Sequence, residues 1–284
     1  MRSMTGFGRA SASVADALIV VQVNSVNRKS LDLSMRIPDA WSPLETKVTE
    51  KVRAVARRGK IHLVVSMEAQ GGAEGQTAAH LKRLAKLSAE NNVAFAPDTR
   101  LLWDLANDRR TLSEPDLTEV LEVAILDAAE QALQSFAGMR ATEGEALLTD
   151  FLKRIETIKH HVAAVAKRSP QVVTDYRENL IKRLRDADLE LDVEDDRVLK
   201  EVCLFADRCD ITEEITRLDS HLDQFEGHLK GDGEIGRKAE FILQEIGREI
   251  HTIGSKANDL QLSKHVIELK NELERIREQI ANVE

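Results

Sequence analysis

Aromatic side chains make up only 4% of this 284-residue chain, which also contains just two cysteines and five prolines. So few aromatic residues argue against a β-sandwich and favour a helix-dominated fold with a core of Leu, Ile, Val and Ala. Two cysteines are too few for a disulfide framework. The sequence also lacks the four closely spaced ligands that a structural zinc site needs. Long apolar runs are missing as well, so the sequence predicts neither a membrane span nor a signal peptide. We therefore expect a cytoplasmic protein with no membrane partner.

The net charge of −9 disfavours nucleic acid as a partner, because phosphate binding depends on Lys and Arg. The charge is unevenly distributed, however. Residues 1–70 contain 11 basic and 6 acidic side chains, an excess of +5, which leaves −14 for the rest of the chain. Many of the acidic groups fall in one run, residues 186–196, which is typical of solvated surface. This distribution is compatible with RNA as a partner but does not require it.

Patterns in the first part of the chain predict a small α/β layer. Residues 18–37 are β-branched and alternating, and residues 61–68 (IHLVVSME) repeat that character. Between them, Pro43 is suited to the first turn of a helix whose apolar residues recur every three or four positions. The segment MTGFGRA near the N-terminus can pair with the next strand as a hairpin.

From about residue 77 onward the pattern is almost wholly helical. Apolar residues recur from residue 148 to residue 165 in a heptad-like rhythm, which predicts a long helix packed on a partner. Pro170 is expected to break or kink that helix. The predicted class is α+β. We divide the chain into an N-terminal α/β domain with trailing helices (residues 1–140), an extended helical arm (141–196) and a helical C-terminal domain (197–284).

The end of the chain carries an apolar stripe at spacings of three and four. Its members are Val266, Leu269, Leu273, Ile276, Ile280 and Val283. The repeat is too short to establish a coiled coil. We favour an amphipathic helix that packs on its own domain, and the alternative is a subunit interface.

Two segments in the C-terminal part carry more polar pattern than solubility needs. At roughly 100° per residue, each places its polar residues on one helix face and its aliphatic residues on a neighbouring face. The polar faces contain Asp210, Glu213, Glu214, Arg217 and His221 in the first segment, and Gln244, Glu245, Arg248, Glu249, Thr252 and Lys256 in the second. If the apolar faces pack together, the polar faces border a common groove.

Such a groove would combine carboxylates, arginines and a histidine. Carboxylates ligate Mg²⁺ or Mn²⁺, and a metal can activate water or stabilise charge on a phosphate. Arginine binds phosphate through two parallel hydrogen bonds, and His221 can act as a general acid or base. The alternative is an ordinary solvated helix face, because Glu213 and Arg217 lie at i,i+4, where ion pairs are common.

Basic residues suited to RNA backbone contact also occur in the N-terminal part. They are Arg28, Lys29, Arg36, Arg57, Arg58 and Lys60. An equally good interpretation is that they keep a small sheet domain soluble. Aromatic platforms on which bases could stack are limited to Phe7, Trp41 and Trp103. Core packing is the favoured role of each.

Several motifs resemble those of the YicC/YloC family of bacterial endoribonucleases. Residues 2–9 (RSMTGFGR) look like the opening of the family, and residues 140–147 (RATEGEAL) look like its middle motif. The C-terminal part matches best, at residues 210–214 (DITEE), 217–221 (RLDSH), 236–238 (GRK), 244–249 (QEIGRE) and 252–259 (TIGSKAND). The resemblance extends from end to end of the chain.

The resemblance implies a metal-dependent endoribonuclease, with Mn²⁺ or Mg²⁺ as cofactor, that assembles as a homohexamer around RNA. Motif matching together with the helical-face pattern makes Glu214, His221, Glu245 and Glu249 both catalytic residues and metal ligands. The RNA-binding residues are then Arg28, Arg36, Arg58, Lys60, Arg140, Arg217, Arg248 and Lys256. The alternatives are a non-catalytic RNA-binding or adaptor protein that regulates RNA decay, and a purely structural coiled-coil oligomer.

The chain departs from the family pattern at three places. Residues 27–29 read Asn-Arg-Lys where the family has Asn-His-Arg, so a histidine there cannot be essential. Gly247 and His251 stand where the family tends to have Asn. A glycine inside a helix costs roughly 1 kcal/mol relative to alanine, and His251 adds a titratable group. These changes concern the chemistry of that helix and not membership in the family.

Overall fold

The structure is a computed structural model that describes residues 1–14, 17–28, 30–69, 72–107, 116–187, 189, 195–231 and 236–284. The four strands are β1 (Gly6–Val14), β2 (Ala17–Val26), β3 (Leu31–Arg36) and β4 (Gly59–Ala69). The helices are α1 (Glu45–Val55), α2 (Gly72–Glu90), α3 (Thr99–Asn107), α4 (Glu119–Asp186), α5 (Asp196–Cys209), α6 (Thr212–Lys230), α7 (Gly236–Lys256) and α8 (Leu260–Ile280). A 3₁₀ turn, Asp39–Leu44, precedes α1. This mixture of one sheet and many helices confirms the predicted α+β class.

Ser3–Glu143 forms the N-terminal unit, which is built on a four-stranded sheet in the order β1-β2-β4-β3. β1 and β2 form the predicted antiparallel hairpin, β4 is antiparallel to β2, and β3 is parallel to β4. Residues 18–37, which the sequence joined as one extended stretch, form two strands that lie on opposite sides of β4. Alternation places Ile19, Val21, Val23, Ile61, Leu63 and Val65 on one face, where they are buried with residues of α1 and of α4 up to Phe136.

Met1–Arg2 and Gly144–Glu284 form the C-terminal unit, whose described elements are all helices and which includes a short N-terminal piece of the chain. That piece is held by the chain end, because Arg2 N–H donates to the Glu284 carbonyl (2.9 Å) and Glu284 N–H donates to the Arg2 carbonyl (2.8 Å). The part of α4 after Gly144 shares one apolar core with α5, α6, α7 and α8. The sequence set residues 141–196 apart as an arm, whereas their buried residues, such as Phe151 and Val165, belong to this common core.

We expected Pro170 to break or kink the long helix, and α4 continues through Pro170 unbroken. Proline inside a helix removes one hydrogen bond and clashes with the preceding turn, at a cost of about 3 kcal/mol. Val165 and Val172 are nevertheless both buried in the core of the C-terminal unit. Burial on both sides of Pro170 therefore offsets the cost and keeps the helix in one piece.

The apolar stripe at the end of the chain is buried on its own unit. All six stripe residues, from Val266 to Val283, are at most 5% exposed and lie in the core of the C-terminal unit. This confirms the interpretation as an amphipathic helix that packs on its own domain. Across the described ranges, no helix is both long and apolar enough to cross a membrane.

Candidate functional site

Asp210 marks the point where the first polar segment becomes a helix. Its Oδ1 accepts hydrogen bonds from the Thr212 backbone N–H (3.0 Å) and from the Thr212 hydroxyl (2.7 Å). These bonds, together with the charge of Lys256, hold the pKa of Asp210 below its ordinary value. Ile211, which precedes α6, and Leu218 and Leu222 within it are buried in the core shared with α7, as the pattern predicted. The polar residues between them therefore lie along the border of the two helices.

Glu214 of α6 and Lys256 of α7 form the most buried ion pair at this border. Lys256 Nζ donates to Glu214 Oε1 (2.7 Å) and to the Asp210 carbonyl (2.9 Å). The Glu214 residue is only 8% exposed. Its second oxygen, Oε2, is buried and has no hydrogen-bond partner among the described residues. A buried carboxylate oxygen without a partner is costly, which makes this atom a candidate for ligand binding.

Arg217 and Glu249 make a second connection between α6 and α7. Arg217 Nη1 lies 4.0 Å from Glu249 Oε1, and Arg217 also bonds to Glu213 of its own helix. Glu249 is 8% exposed, whereas the Arg217 side chain is half exposed. The seam between α6 and α7 thus contains two buried carboxylates, each facing a basic side chain of the other helix. We refer to Glu214, Arg217, Glu249 and Lys256 as the α6–α7 seam.

Glu245 and His221 lie outside these two pairs. Glu245 Oε1 accepts a hydrogen bond from Arg248 Nη1 (2.6 Å) one turn further along α7. His221 is partly exposed on α6. Within the part of the chain that the structure describes, no hydrogen bond links His221 to Glu214, Glu245 or Glu249. The predicted groove therefore brings Glu214 and Glu249 to one seam but does not gather all four predicted residues.

The residues that the structure describes do not form the predicted metal site by themselves. Hard cations need several oxygen ligands around one point. Among the residues that the structure describes, no three His, Cys, Asp or Glu side chains are placed to hold one ion. Glu214, Glu245 and Glu249 instead each face a lysine or an arginine. Of these three carboxylates, Glu214 has a buried oxygen, Oε2, without a hydrogen-bond partner in the described part of the chain.

The predicted RNA-binding residues of the N-terminal unit lie at the β3–β4 end of the sheet. Arg36 is exposed at the end of β3, and Lys60 is exposed at the start of β4, opposite Asp32 in the strand register. Arg28 is exposed and bonds to Asp32. Arg58, which precedes β4, is partly buried and has its own interactions. Three of the four cations are therefore accessible.

Arg140 is placed differently from the other predicted RNA contacts. Its residue exposure is 1%, its Nε donates to the Ser3 carbonyl, and its guanidinium lies 5.3 Å from the centre of the Phe136 ring. Ser3 N–H in turn donates to the Arg140 carbonyl (3.0 Å). These contacts fix the segment before β1 onto α4. The prediction of Arg140 as an RNA contact fails because its side chain presents no surface to a ligand.

The three candidate stacking residues differ in exposure. Trp41 is fully buried in the core of the N-terminal unit, as expected. The favoured core role is wrong for Phe7, which is 47% exposed, and for Trp103, which is 70% exposed. Phe7 faces the surface because its neighbours in β1, Gly6 and Gly8, lie against α4 with no room for a side chain.

Sequence reasoning missed a pocket beside α7 that borders the predicted polar face. It has a volume of about 550 Å³ and is lined by Gln244, Gly247, Arg248, His251, Thr252 and Arg277. Arg277 comes from α8 and was not a predicted site residue. The available signal was Gly247, a glycine inside a well-patterned helix.

Comparison with known proteins gives end-to-end matches. The family model described as "Endoribonuclease YicC-like, N-terminal region" matches residues 1–149, and "Endoribonuclease YicC-like, C-terminal" matches residues 165–284. The chain is 33% identical over 299 residues to a "Probable endoribonuclease YicC" of Clostridioides difficile strain 630, with 99% of each chain covered. It is 32% identical over 298 residues to a protein of the same description from Haemophilus influenzae strain Rd, again with 99% of each chain covered.

Proposed function

Since the chain belongs to the endoribonuclease YicC-like family, we propose that it cleaves RNA chains internally and acts in RNA turnover in the cytoplasm. Full-length similarity to two relatives described as probable endoribonucleases supports this activity. RNA is then the substrate, despite the net charge of −9. The uneven distribution of that charge leaves basic surfaces at which phosphates can bind.

Cleavage takes place at the α6–α7 seam and the adjoining face of α7. The observation that supports this placement is the buried Oε2 of Glu214, which has no hydrogen-bond partner among the described residues. Either Glu249 or Glu245 accepts the one proton of the attacking oxygen while the other carboxylate orients its neighbouring arginine, and His221 donates one proton to the leaving oxygen. Arg217, Arg248 and Lys256 neutralise the charge that develops on the phosphate.

A divalent cation, Mn²⁺ or Mg²⁺, is part of the proposal. Such a cation would add Lewis-acid stabilisation of the phosphate. Because no three side chains of the described residues are arranged to hold it, further ligands must come from the RNA phosphate or from another subunit. Glu214 Oε2 is the protein oxygen best suited to join them.

Assembly as a homohexamer and RNA binding at the sheet complete the proposal. Phe241 and Leu260 are exposed on the C-terminal helices (60% and 73%), which is compatible with subunit contacts. The accessible cations Arg28, Arg36 and Lys60 provide phosphate contacts in the N-terminal unit. The measurement of mass in solution by light scattering tests the hexamer, and a monomer would overturn it.

The decisive experiment is cleavage of a labelled single-stranded RNA in the presence of Mn²⁺, Mg²⁺ or EDTA. Glu249→Gln and Glu245→Gln are expected to lower the cleavage rate at least about 100-fold, the size of a typical general acid–base contribution. Glu156→Gln is the control, because Glu156 is an exposed carboxylate of α4 in the same unit.

Metal-dependent cutting by wild type and Glu156→Gln, but not by the other two variants, would support the proposed site. Equal cleavage by all four proteins would exclude Glu245 and Glu249 as catalytic residues and place the active site elsewhere. Tight RNA binding without cleavage under every condition would contradict the nuclease function and support the alternative, a non-catalytic RNA-binding adaptor.

A further inference from the structure

The pocket beside α7 exists because residue 247 is glycine. A Cβ atom at this position would lie 2.6 Å from Arg277 Nη2 and 3.4 Å from Leu273 Cδ2. The space that a side chain would fill is therefore occupied by the guanidinium of Arg277. Arg277 Nη2 also donates to the Leu243 carbonyl (3.0 Å), which holds the guanidinium against α7.

Two guanidinium groups from different helices meet at this pocket. Arg248 of α7 and Arg277 of α8 both line it, together with the amide of Gln244, the imidazole of His251 and the hydroxyl of Thr252. The Arg248 side chain is 71% exposed and that of Arg277 is 37% exposed, so solvent and ligands reach both. All five side chains can donate hydrogen bonds, which suits an anionic ligand rich in oxygen.

The arginines keep donors available for such a ligand. Arg248 uses Nη1 for Glu245, and within the described residues its Nε and Nη2 bond to no acceptor. Arg277 uses Nη2 for Leu243, and its Nη1 lies 3.6 Å from Glu274, which is an ion pair and not a hydrogen bond. Each arginine has one carboxylate neighbour, Glu245 for Arg248 and Glu274 for Arg277, and the remaining donors of the planar guanidinium groups match the geometry of phosphate oxygens.

The pocket adjoins the proposed catalytic face. Arg248 links the two, because it lines the pocket and bonds to Glu245. Thr252, on the same helix, lies between His251 in the pocket and the Glu249 and Lys256 side of α7 at roughly 100° per residue. A phosphate held in the pocket would therefore place the neighbouring nucleotide of an RNA strand along the α7 face that carries Glu245 and Glu249.

We propose that Arg248, Arg277, Gln244, His251 and Thr252 form a binding site for a backbone phosphate of single-stranded RNA, opened by Gly247. This proposal rests on the proposed function for its ligand, and it adds Arg277 as a positioning residue.

The test measures equilibrium binding of a fluorescent, fully 2′-O-methylated single-stranded RNA across a series of salt concentrations. Arg277→Gln is expected to weaken binding roughly tenfold, as for a lost charged hydrogen bond. It should also reduce the slope of log K against log salt by about 0.7, the value for one single-strand phosphate contact. Arg275→Gln is the matched control, since Arg275 lies on the same helix but bonds to Glu272 (2.5 Å).

Gly247→Ala distinguishes binding in the pocket from binding that depends only on the net charge of the protein. The new Cβ displaces the end of the flexible Arg277 side chain, so the helix still folds while the guanidinium moves. Binding should weaken although no polar group is removed, and Gly227→Ala, where a Cβ meets nothing within 4 Å, should leave it unchanged. Circular dichroism spectra of both variants are compared with that of wild type to check that they fold.

The outcomes distinguish this inference from the proposed function. Equal losses in Arg275→Gln and Arg277→Gln, or normal binding by Gly247→Ala, would overturn the pocket. So would the absence of RNA binding by wild type. Competition by inorganic phosphate at the same concentration as the RNA would also overturn it, because an isolated anion would then suffice. If wild type binds in the predicted manner but cuts no unmodified RNA, the pocket stands and the nuclease function fails.

Discussion

The two units of this chain bury polar groups of different kinds. In the N-terminal unit, Ser25 donates to the Met4 carbonyl (2.6 Å) and Arg140 donates to the Ser3 carbonyl, so buried side chains bond to main chain. In the C-terminal unit the buried polar residues of the described chain are the carboxylates Glu214, Glu249 and Glu272. They face basic side chains of neighbouring helices.

This difference shows where binding chemistry is expected. A side chain bonded to a carbonyl of a fixed segment has a structural role, because the bond can be exchanged only by unfolding that segment. A carboxylate beside a flexible Lys or Arg can exchange its partner for a ligand with little movement. Glu214 illustrates this, since Lys256 contacts one of its oxygens and the other has no partner within the described chain.

The largest expected effect is in the N-terminal unit, with Gly8→Ala. A Cβ at residue 8 would overlap the Ala132 carbonyl oxygen and lie 2.7 Å from the Phe136 nitrogen, and neither backbone atom can move away. We expect a loss of at least about 4 kcal/mol, at the upper end for overpacking. Gly138→Ala, which meets nothing within 4 Å, is the control and should stabilise α4 slightly. Urea unfolding followed by the fluorescence of Trp41 and Trp103 checks this, and equal midpoints would contradict it.

The next effect is in the C-terminal unit, with Lys256→Met. Removing the cation leaves Glu214 buried without its partner, which costs about 3 kcal/mol for a buried pair. Lys256→Arg keeps a cation and should cost much less. Thermal unfolding followed by helical circular dichroism compares the two. If the Met variant were as stable as wild type, the pair would not be an important interaction of the folded state.

A smaller loss is expected from Asp259→Ala, which tests a residue of a family-like motif. Asp259 caps α8 by accepting from the Gln261 and Leu262 N–H groups, both at 2.9 Å, and it pairs with Arg168 (2.6 Å). Loss of an N-cap costs about 1–2 kcal/mol. Asp175→Ala removes the other carboxylate on Arg168 without touching a cap, so it should cost less. Urea unfolding of both variants checks this order, and the reverse order would exclude the capping role.

The smallest effect concerns pH. Burial, the ring of His265 (Nδ1 to Nδ1, 2.9 Å) and His160 lower the pKa of His161, while Glu268 and Glu272 act in the opposite direction. As the pH falls, the unfolded chain therefore binds a proton at His161 before the folded chain does. The stability that the neutral His161 gives the folded state is complete above roughly pH 6.5 and is lost as the pH falls through the lowered pKa. Wild type should lose more stability than His161→Gln between about pH 7.5 and pH 5.5. Equal losses in urea unfolding would contradict the assignment.

Patterns of short range predicted most of the elements. Alternation found the strand residues of β2 and β4, and the spacing of three and four found the apolar faces of α6, α7 and α8, all of which are buried. Of the break or kink expected at Pro170, the break is wrong, because packing on both sides outweighs the local penalty. Exposure of Phe7 was missed because it depends on the close approach of β1 to α4 and not on the type of residue 7.

The candidate site was predictable only in its parts. Glu214 and Glu249 were placed on facing polar faces, and the structure brings both to the α6–α7 seam. Among the described residues the carboxylates do not form one cluster, because helical phase places a side chain on a face but does not decide which cation it meets. Arg140 belongs to a family-like motif, yet its side chain is buried, since a sequence motif does not show whether a residue is exposed.

The sequence by itself determined the α+β class, the helical faces and the family, because these depend on periodicity and on residue identity along the chain. Only the tertiary structure decided that Lys256 meets Glu214 across 42 residues and that Arg277 occupies the space beside Gly247. Such pairings depend on how closely two helices approach and on which residues face each other along their contact. That geometry arises when the whole core packs, and no local pattern contains it.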